Sequence, residues 1–110
     1  MSLYYYLNPD HSVRECTLEE WADQFEDMCR KHNKHVASDI IKGNHISTVW
    51  LGSNHNYYEV GKPLIFETMI FEEDSSQDIY CARYSTWDEA IEGHKKAIEW
   101  VLGGCNDESE

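Results

Sequence analysis

Two stretches of the chain, residues 18–32 and 87–102, carry apolar side chains at the three- and four-residue spacing of an amphipathic helix. Each follows a threonine, Thr17 or Thr86, with a glutamate three residues later, which is the sequence pattern of a capping box. Gly103 follows the second stretch, and glycine is common just past the end of a helix. The pattern therefore predicts two helices with defined ends.

Strand-like runs occupy much of the remaining sequence. They are rich in β-branched and aromatic residues and span residues 3–7, 36–41, 45–51, 64–71 and 79–85. A short Gly/Asn link at residues 42–44 joins the second run to the third and predicts a hairpin. The run at 64–71 is the most apolar, which favours a central strand buried on both faces. A long loop, residues 53–63, precedes it.

The order of these elements, β-α-β-β-β-β-α, predicts an α+β fold. We expect an antiparallel sheet of about five strands with both helices packed on one face. A chain of 110 residues, 41% of them hydrophobic, has the size of one domain with a single core. This domain is predicted to span residues 1–104, and residues 105–110 are predicted to form a disordered acidic tail.

The net charge of −12 narrows the classes of partner. It arises from 21 acidic and 9 basic residues. Such a surface repels phosphate backbones, so we expect no direct binding to nucleic acid. A protein partner with a basic surface would be attracted by the same charge.

The compartment is predicted from what the sequence lacks. The four cysteines have neither CxxC nor Cys/His zinc spacing; they are Cys16, Cys29, Cys81 and Cys105. The first 15 residues have no basic start followed by a long apolar segment, so no signal peptide is predicted, and no run reaches the roughly 20 apolar residues of a membrane span. We therefore expect a cytoplasmic protein with reduced thiols and no membrane association.

A set of polar and aromatic side chains in apolar company forms a candidate polar core or pocket: His45, Thr48, Trp50, His55, Glu67, Tyr84 and His94. Glu67 lies in the middle of the most apolar strand, and His94 lies on the apolar stripe of the second helix. Because a buried carboxylate and a buried imidazole both need partners, a Glu67–His94 pair is predicted. Such a pair could be structural, or it could be the floor of a pocket gated by the loop 53–63. Gly93 predicts the close approach of another backbone at that point of the helix.

Two ligand classes remain open at this pocket. If His45 and His55 converge with Glu67 and His94, their imidazole and carboxylate groups suit a divalent metal and a hydrolase mechanism. No HxH, HxxxH or HExxH spacing requires this, and no cofactor is indicated. Alternatively, aromatic side chains could stack on a flat, nucleotide-like ligand at the sheet–helix interface, with Trp50, Tyr57 and Tyr58 lining it together with Glu67 and His94.

The combination of HISTVWLG, a later histidine, IFETM and RYSTWDEA, with Gly-His at 93–94, resembles a family of small uncharacterised proteins encoded by bacteriophages and prophages. The resemblance covers about residues 44–102. The matching positions are His45, Ser47, Thr48, Trp50, Leu51, Gly52, His55, Phe66, Glu67, Thr68, Met69, Tyr84, Ser85, Thr86, Glu89, Ala90, Gly93 and His94. The chain departs from the pattern in the loop SNHNYYEVGKP and in its N-terminal strand and helix.

The resemblance implies a viral origin and a bacterial host cytosol, and it implies no reaction. Together with the acidity and the absence of a catalytic motif, it favours a small accessory protein that acts by binding. A host protein involved in defence or in nucleic-acid handling would be the partner, and inhibition of that protein would be the effect. The small-ligand binder and the metal-dependent hydrolase are the alternatives, and the sequence leaves the oligomeric state open.

Overall fold

The computed structural model describes residues 3–56, 61–73, 75 and 77–103. In chain order its elements are β1 (Tyr5–Leu7), β2 (Val13–Glu15), α1 (Leu18–Lys31), β3 (His35–Ile41), β4 (Asn44–Trp50), β5 (Phe66–Phe71), β6 (Asp78–Tyr84) and α2 (Trp87–Leu102). The predicted α+β class is confirmed, with antiparallel strands and two helices that pack against the sheet.

The strands form two sheets instead of one. β3, β4, β5 and β6 pair in that order, with β5 inside the sheet as predicted, while β1 pairs with β2 in a separate hairpin. β2 is only three residues long and contains Arg14 and Glu15, so it has no apolar run that sequence analysis could detect. The hairpin is joined to the end of the large sheet by a backbone hydrogen bond of 2.8 Å from Tyr5 N to Gly52 O.

The two helix starts follow the predicted chemistry to different degrees. At α1, Thr17 Oγ1 accepts from Glu20 N and the Glu20 carboxylate accepts from Thr17 N, which completes the capping box. At α2, Thr86 Oγ1 accepts from Glu89 N at 3.0 Å. The Glu89 carboxylate instead accepts from the backbone N–H of Ser85, so the second predicted box is closed one residue earlier.

The core lies between the large sheet and the helices. One cluster of buried side chains, which Met28 of α1 joins from its edge, comprises Tyr5, Trp50, Ile65, Phe66 and Ala90. A second cluster lies further along α2 and comprises Ile46, Ile70, Ala97 and Val101. Since α1 and α2 both contribute to the first cluster, they lie on the same side of the sheet. Buried apolar area therefore concentrates on this one face.

Three of the four cysteines lie within the described residues. Cys16, Cys29 and Cys81 are free thiols, whereas Cys105 and the predicted tail, residues 105–110, lie outside the described residues. Within the described ranges, neither helix combines the length and the apolar character that crossing a membrane requires.

Candidate functional site

The register of the large sheet assigns each candidate residue to one of its two faces. Thr48 pairs with Thr68, and Trp50 pairs with Phe66, all on the face beneath α2. Neighbouring residues in a strand point to opposite faces, so Glu67 lies on the other face. The two-residue alternation of β4 places Ile46 on this face with Thr48 and Trp50.

His94 occupies the polar centre of the α2 face. Its Nδ1 lies 2.7 Å from Thr48 Oγ1, and its Nε2 lies 2.8 Å from Asp39 Oδ2. Because the Asp39 carboxylate can only accept, Nε2–H donates to Asp39. In the neutral tautomer with its proton on Nε2, Nδ1 accepts from the Thr48 hydroxyl. Thr68 then bonds to Thr48, with 2.5 Å between the two Oγ1 atoms. The result is a continuous chain from the exposed Asp39 to the fully buried Thr68.

The predicted Glu67–His94 pair is wrong. Glu67 Oε2 accepts from Arg83 Nε at 2.9 Å, on the sheet face opposite His94. The cause is the two-residue period of a strand: Thr68 must face α2 to reach Thr48, which turns Glu67 away. Arg83 is the register partner of Glu67 on β6. Burial, and then the Glu67 carboxylate, raise the pKa of the neighbouring Cys81 thiol.

The convergence of His45, His55, Glu67 and His94 on one metal is also wrong. His45 lies at the hairpin end of the sheet, where its Nε2 is 2.9 Å from Ser38 Oγ. His45 is four residues along β4 from the partner of Glu67, a separation of roughly 13 Å at ~3.3 Å per residue. His55 lies in the loop after β4 and donates from Nδ1 to the carbonyl of Ser53 at 3.0 Å.

Over the part of the chain that the structure describes, no group of three or more His, Cys, Asp or Glu side chains is placed to hold a metal ion. The donor set required by the hydrolase alternative is therefore not assembled in this arrangement.

The Asp39–His94–Thr48 chain has the order of acid, imidazole and hydroxyl that activates a nucleophile in many hydrolases. Thr48 and Thr68 are both 0% exposed, however, and α2 covers them. A substrate atom cannot reach Thr48 Oγ1 without the removal of the helix. The chain of hydrogen bonds therefore fixes α2 to β3, β4 and β5 and satisfies the polar groups between them.

Tyr84 packs against the same helix. A Cβ atom on Gly93 would lie 2.2 Å from Cζ and Oη of Tyr84, so the close approach predicted at Gly93 is made by an aromatic ring instead of a backbone. Burial raises the pKa of the Tyr84 phenol, and an interaction with Thr68 opposes that shift. The phenol oxygen nevertheless makes no hydrogen bond of full geometric quality to any described residue.

Trp50 is buried at the junction of α1, β4 and α2. It lines a cavity of about 260 Å³ together with Trp87 and His11, neither of which was predicted as a site residue. Tyr57 and Tyr58, the other aromatic residues predicted to line a pocket, lie outside the described residues, as does the middle of the loop predicted to be its gate. The cavity is thus displaced from the predicted pocket at Glu67 and His94.

The face opposite α2 is called the open face here. Its members, assigned by register and alternation, are His35, Ser38, Ile40, His45, Ser47, Val49, Glu67, Met69, Phe71, Asp78, Ile79, Cys81 and Arg83. Among the described elements outside this sheet, α2 is the one whose backbone packs along its strands, and α2 covers the other face. Ile40 is 75% exposed and Ile79 is 37% exposed. An apolar patch of this kind marks an interaction site more often than a plain solvated surface.

A cleft of about 500 Å³ lies at the end of the open face, beside the β3–β4 turn. Its walls include Ile40, His45 and Phe71, and two carboxylates, Glu72 and Glu73, lie at its rim. The turn residues Lys42 and Gly43 both have positive φ, as a tight hairpin turn requires, and this brings the Glu73 carboxylate against Gly43. Apolar walls with an acidic rim suit an aliphatic side chain that ends in a positive charge.

Asp39 and Arg83 were not predicted as partners of His94 and Glu67. A signal for Asp39 was present, because the short turn at residues 42–44 fixes the hairpin register that places Asp39 on the α2 face. Alignment of β6 with β5 from their turn would have set Glu67 against Ala82, because Phe71 pairs with Asp78; the register shift between Ile70 and Phe71 is what brings Arg83 opposite Glu67. No periodic signal connects His11 with Trp87, because that contact joins a turn to a distant helix.

Comparison with known proteins adds no assignment to these sites. The chain matches no protein-family model, no curated protein and no solved structure. The resemblance of residues 44–102 to a bacteriophage family therefore stays a prediction, and the geometry of the open face and of the two cavities is what bears on function.

Proposed function

We propose that the protein is a non-enzymatic binding module that docks the open face of its large sheet onto a protein partner with a basic surface. The motif resemblance supports a phage or prophage origin, with the host cytosol as the setting and a host protein as the partner. Inhibition of a defence or nucleic-acid-handling protein is the effect this setting favours.

The exposed apolar character of the open face carries the proposal. Ile40 and Ile79 lie at its edges, and Val49, Met69 and Phe71 are partly exposed between them. Moving an apolar side chain of this size from water into an interface contributes roughly 1.5–3 kcal/mol to the free energy of binding. A partner that covers this face would gain that stabilisation from residues already held in a rigid sheet, at little cost in conformational entropy.

The dimensions of the face set a requirement for the partner. Four strands at ~4.8 Å spacing and seven residues at ~3.3 Å give a footprint of roughly 19 by 23 Å, or about 440 Å². A standard interface buries about 800 Å² on each partner. The partner must therefore extend past the sheet, and the cleft at Glu72 and Glu73 is the natural continuation because it opens beside Ile40.

Charge selects the class of partner. The net charge of −12 and the acidic rim of the cleft attract a basic surface and increase the rate of encounter with it. Arg83 and Glu67 neutralise each other within the open face, so the face itself presents no isolated buried charge to a docked partner. A phosphate backbone would be repelled, which makes nucleic acid a poor occupant.

The hydrolase alternative lacks a geometric basis because its four candidate residues lie apart. His94 is bonded beneath α2, and Glu67 is paired on the opposite face. The small-ligand alternative keeps a specific observation, the cavity beside Trp87, which is independent of the open face.

Two matched double variants test the proposal. I40E/I79E adds two carboxylates to the open face, and L18E/L102E adds two carboxylates at exposed leucines of α1 and α2, each 54% exposed. Immobilised wild-type and variant proteins are incubated with bacterial lysate, and the retained proteins are identified and quantified at low and moderate salt.

The proposal predicts a partner that is retained in equal amounts by wild type and L18E/L102E. The amount retained by I40E/I79E should be at least tenfold lower, and retention by the wild type should weaken as the salt concentration rises. Retention of the same partner by I40E/I79E would contradict docking through the open face. Equal loss from both double variants, or no retained protein with the wild type, would also contradict it.

A further inference from the structure

The cavity beside Trp87 is a second concave site, on the α2 side of the sheet and away from the open face. It lies where the β1–β2 turn, the end of α1, the start of β3 and the start of α2 meet. Its volume is about 260 Å³. That volume suits a ring system of about the size of a nucleobase. Junctions between elements are a preferred location for small-molecule sites.

The rings at this cavity already form one aromatic stack. The imidazole of His11 lies on the indole of Trp87 with 3.6 Å between centroids and 11° between planes. Phe66 meets the same indole edge-on, at 82° and 6.2 Å, and this contact fixes its orientation. Trp87 therefore presents a flat surface that accepts a planar nitrogen heterocycle.

His11 is held over Trp87 by its own turn. The backbone N–H of His11 donates to Asn8 O at 2.9 Å, and the carboxylate of Asp10 accepts from the backbone N–H of Ser12 at 2.9 Å. The φ of His11 is +73°, a left-handed conformation that is uncommon outside glycine. His11 is exposed, so its ring can leave the stack for water without opening the core. The His11 ring therefore covers a face of the Trp87 indole from which a ligand can displace it.

The rim of the cavity supplies a polar edge. Asn33 and His35 line it, and neither side chain makes a hydrogen bond to another described residue. Partial burial, and then the nearby Lys34 ammonium, lower the pKa of His35, so its imidazole is neutral at pH 7 and offers one donor and one acceptor. The Asn33 amide offers both as well. A ring with nitrogen and oxygen atoms along one edge matches this pair.

The charges around the cavity disfavour an ionised ligand. The net charge of −12 repels an anion at long range, and the Lys34 ammonium at the rim repels a cation at short range. Met28, Leu7 and Pro9 add apolar walls. The environment thus favours an uncharged planar ring over a phosphate or an amine.

We propose that the cavity beside Trp87 binds an uncharged planar heteroaromatic ring of nucleobase size, which stacks on Trp87 in place of His11. The Asn8–Ser12 turn then acts as a gate whose histidine holds the platform until the ligand displaces it. This site goes beyond the proposed protein docking, because its stacking residues, Trp87 and His11, do not belong to the open face; of its described lining residues, His35 alone belongs to that face, as the register partner of Val49.

The four tryptophans make the binding measurable by position. In protein labelled with 5-fluorotryptophan, Trp50 and Trp87 line the cavity, whereas Trp21 packs on Phe25 and Trp100 packs on Tyr80. Titration with cytosine and with nicotinamide is followed by ¹⁹F NMR, and cyclohexanecarboxamide is the saturated, non-planar control for nicotinamide. Cytidine and its 5′-monophosphate form a further pair that tests the preference for an uncharged ligand.

The proposal predicts that both planar probes shift the Trp50 and Trp87 signals in a saturable way, while the Trp21 and Trp100 signals stay in place. Cyclohexanecarboxamide should cause no saturable shift. The monophosphate should bind more weakly than cytidine. H11A removes the competing ring and should tighten cytosine binding about two- to tenfold, since one aromatic stack is then no longer displaced. Equal shifts of all four signals, equal response to the saturated control, tighter binding of the monophosphate, or unchanged or weaker binding to H11A would overturn it. If H11A unfolds, the wild-type titration alone decides.

Discussion

Asp39 and His94 are separated by 55 residues in the chain, and their side chains meet with 2.8 Å between Oδ2 and Nε2. The contact joins the edge strand β3 to the middle of α2. Through Thr48, the second nitrogen of His94 reaches the centre of the sheet. A histidine that sequence analysis considered for catalysis therefore acts as a three-way structural link, and its two bonds should contribute unequally to stability.

We expect H94A to lower the free energy of unfolding by about 2–4 kcal/mol, because it leaves a cavity under α2 and removes a partner from the buried Thr48 hydroxyl. D39N should cost less than about 1 kcal/mol, because the Asp39 side chain is 48% exposed and its amide can still accept a hydrogen bond. Urea denaturation of the two variants measures both values. Equal losses for D39N and H94A would contradict the assignment of the main contribution to the buried side.

The contact between Gly93 and Tyr84 predicts that alanine at position 93 destabilises the protein, although alanine ordinarily stabilises a helix. Alanine is favoured in a helix by about 1 kcal/mol, yet its Cβ would overlap the Tyr84 ring, so we expect G93A to destabilise the protein by about 2 kcal/mol or more. G103A is the matched control at the end of α2, where the nearest atom, Glu99 O, would lie at 3.3 Å. It should change stability by less than about 1 kcal/mol. Thermal unfolding compares the two, and a G93A protein as stable as wild type would refute the packing.

Removal of the Tyr84 hydroxyl should not destabilise the protein. The hydroxyl is buried without a hydrogen bond of full quality to a described residue, and such a group costs about 1–3 kcal/mol. Y84F removes the hydroxyl and keeps the ring, so we expect stability to be unchanged or to rise by about 1 kcal/mol. Chemical denaturation provides the measurement. A loss above about 1 kcal/mol would mean that the hydroxyl makes a strong hydrogen bond in solution.

His35 should make stability depend on pH. Partial burial, then Lys34 and His45, lower its pKa from the ordinary value of 6.5, so the unfolded chain binds a proton here more readily than the folded chain does. Its contribution to stability is full above pH 6.5 and is lost as the pH falls through the unfolded and then the folded pKa. NMR titration should place the His35 pKa below 6.5 and should show it rising in K34A. A His35 pKa at or above 6.5 would contradict this account.

Alternation and caps predicted most of the fold because both act locally. Thr17 with Glu20 marked the start of α1, and the alternation of the run at 45–51 places Ile46, Thr48 and Trp50 on one face, as observed. β2 was missed because three residues with two charges bury too little apolar surface to give a pattern. Its pairing depends on β1, which provides the partner strand.

The site was harder to predict because its partners are set by register and by distant packing. His94 is buried, as its place on the apolar stripe of α2 predicted, but its partner Asp39 lies on a strand whose alignment follows from the Lys42-Gly43 turn. Glu67 could not be the partner of His94 because Thr68 faces α2, and neighbouring strand residues point to opposite faces. Packing of His11 on Trp87 leaves no trace in local spacing at all.

Docking through the open face is tested most directly with methionine methyl groups. Met69 lies at the centre of the open face between Ser47 and Cys81, whereas Met28 packs on the other side of the sheet with the core cluster at Trp50. Protein labelled with ¹³C-methyl methionine is titrated with the purified partner that the wild-type protein retains. We predict that the Met69 signal shifts and saturates with the partner while the Met28 signal stays in place. A shift of Met28 with Met69 unchanged would contradict the open face as the binding surface.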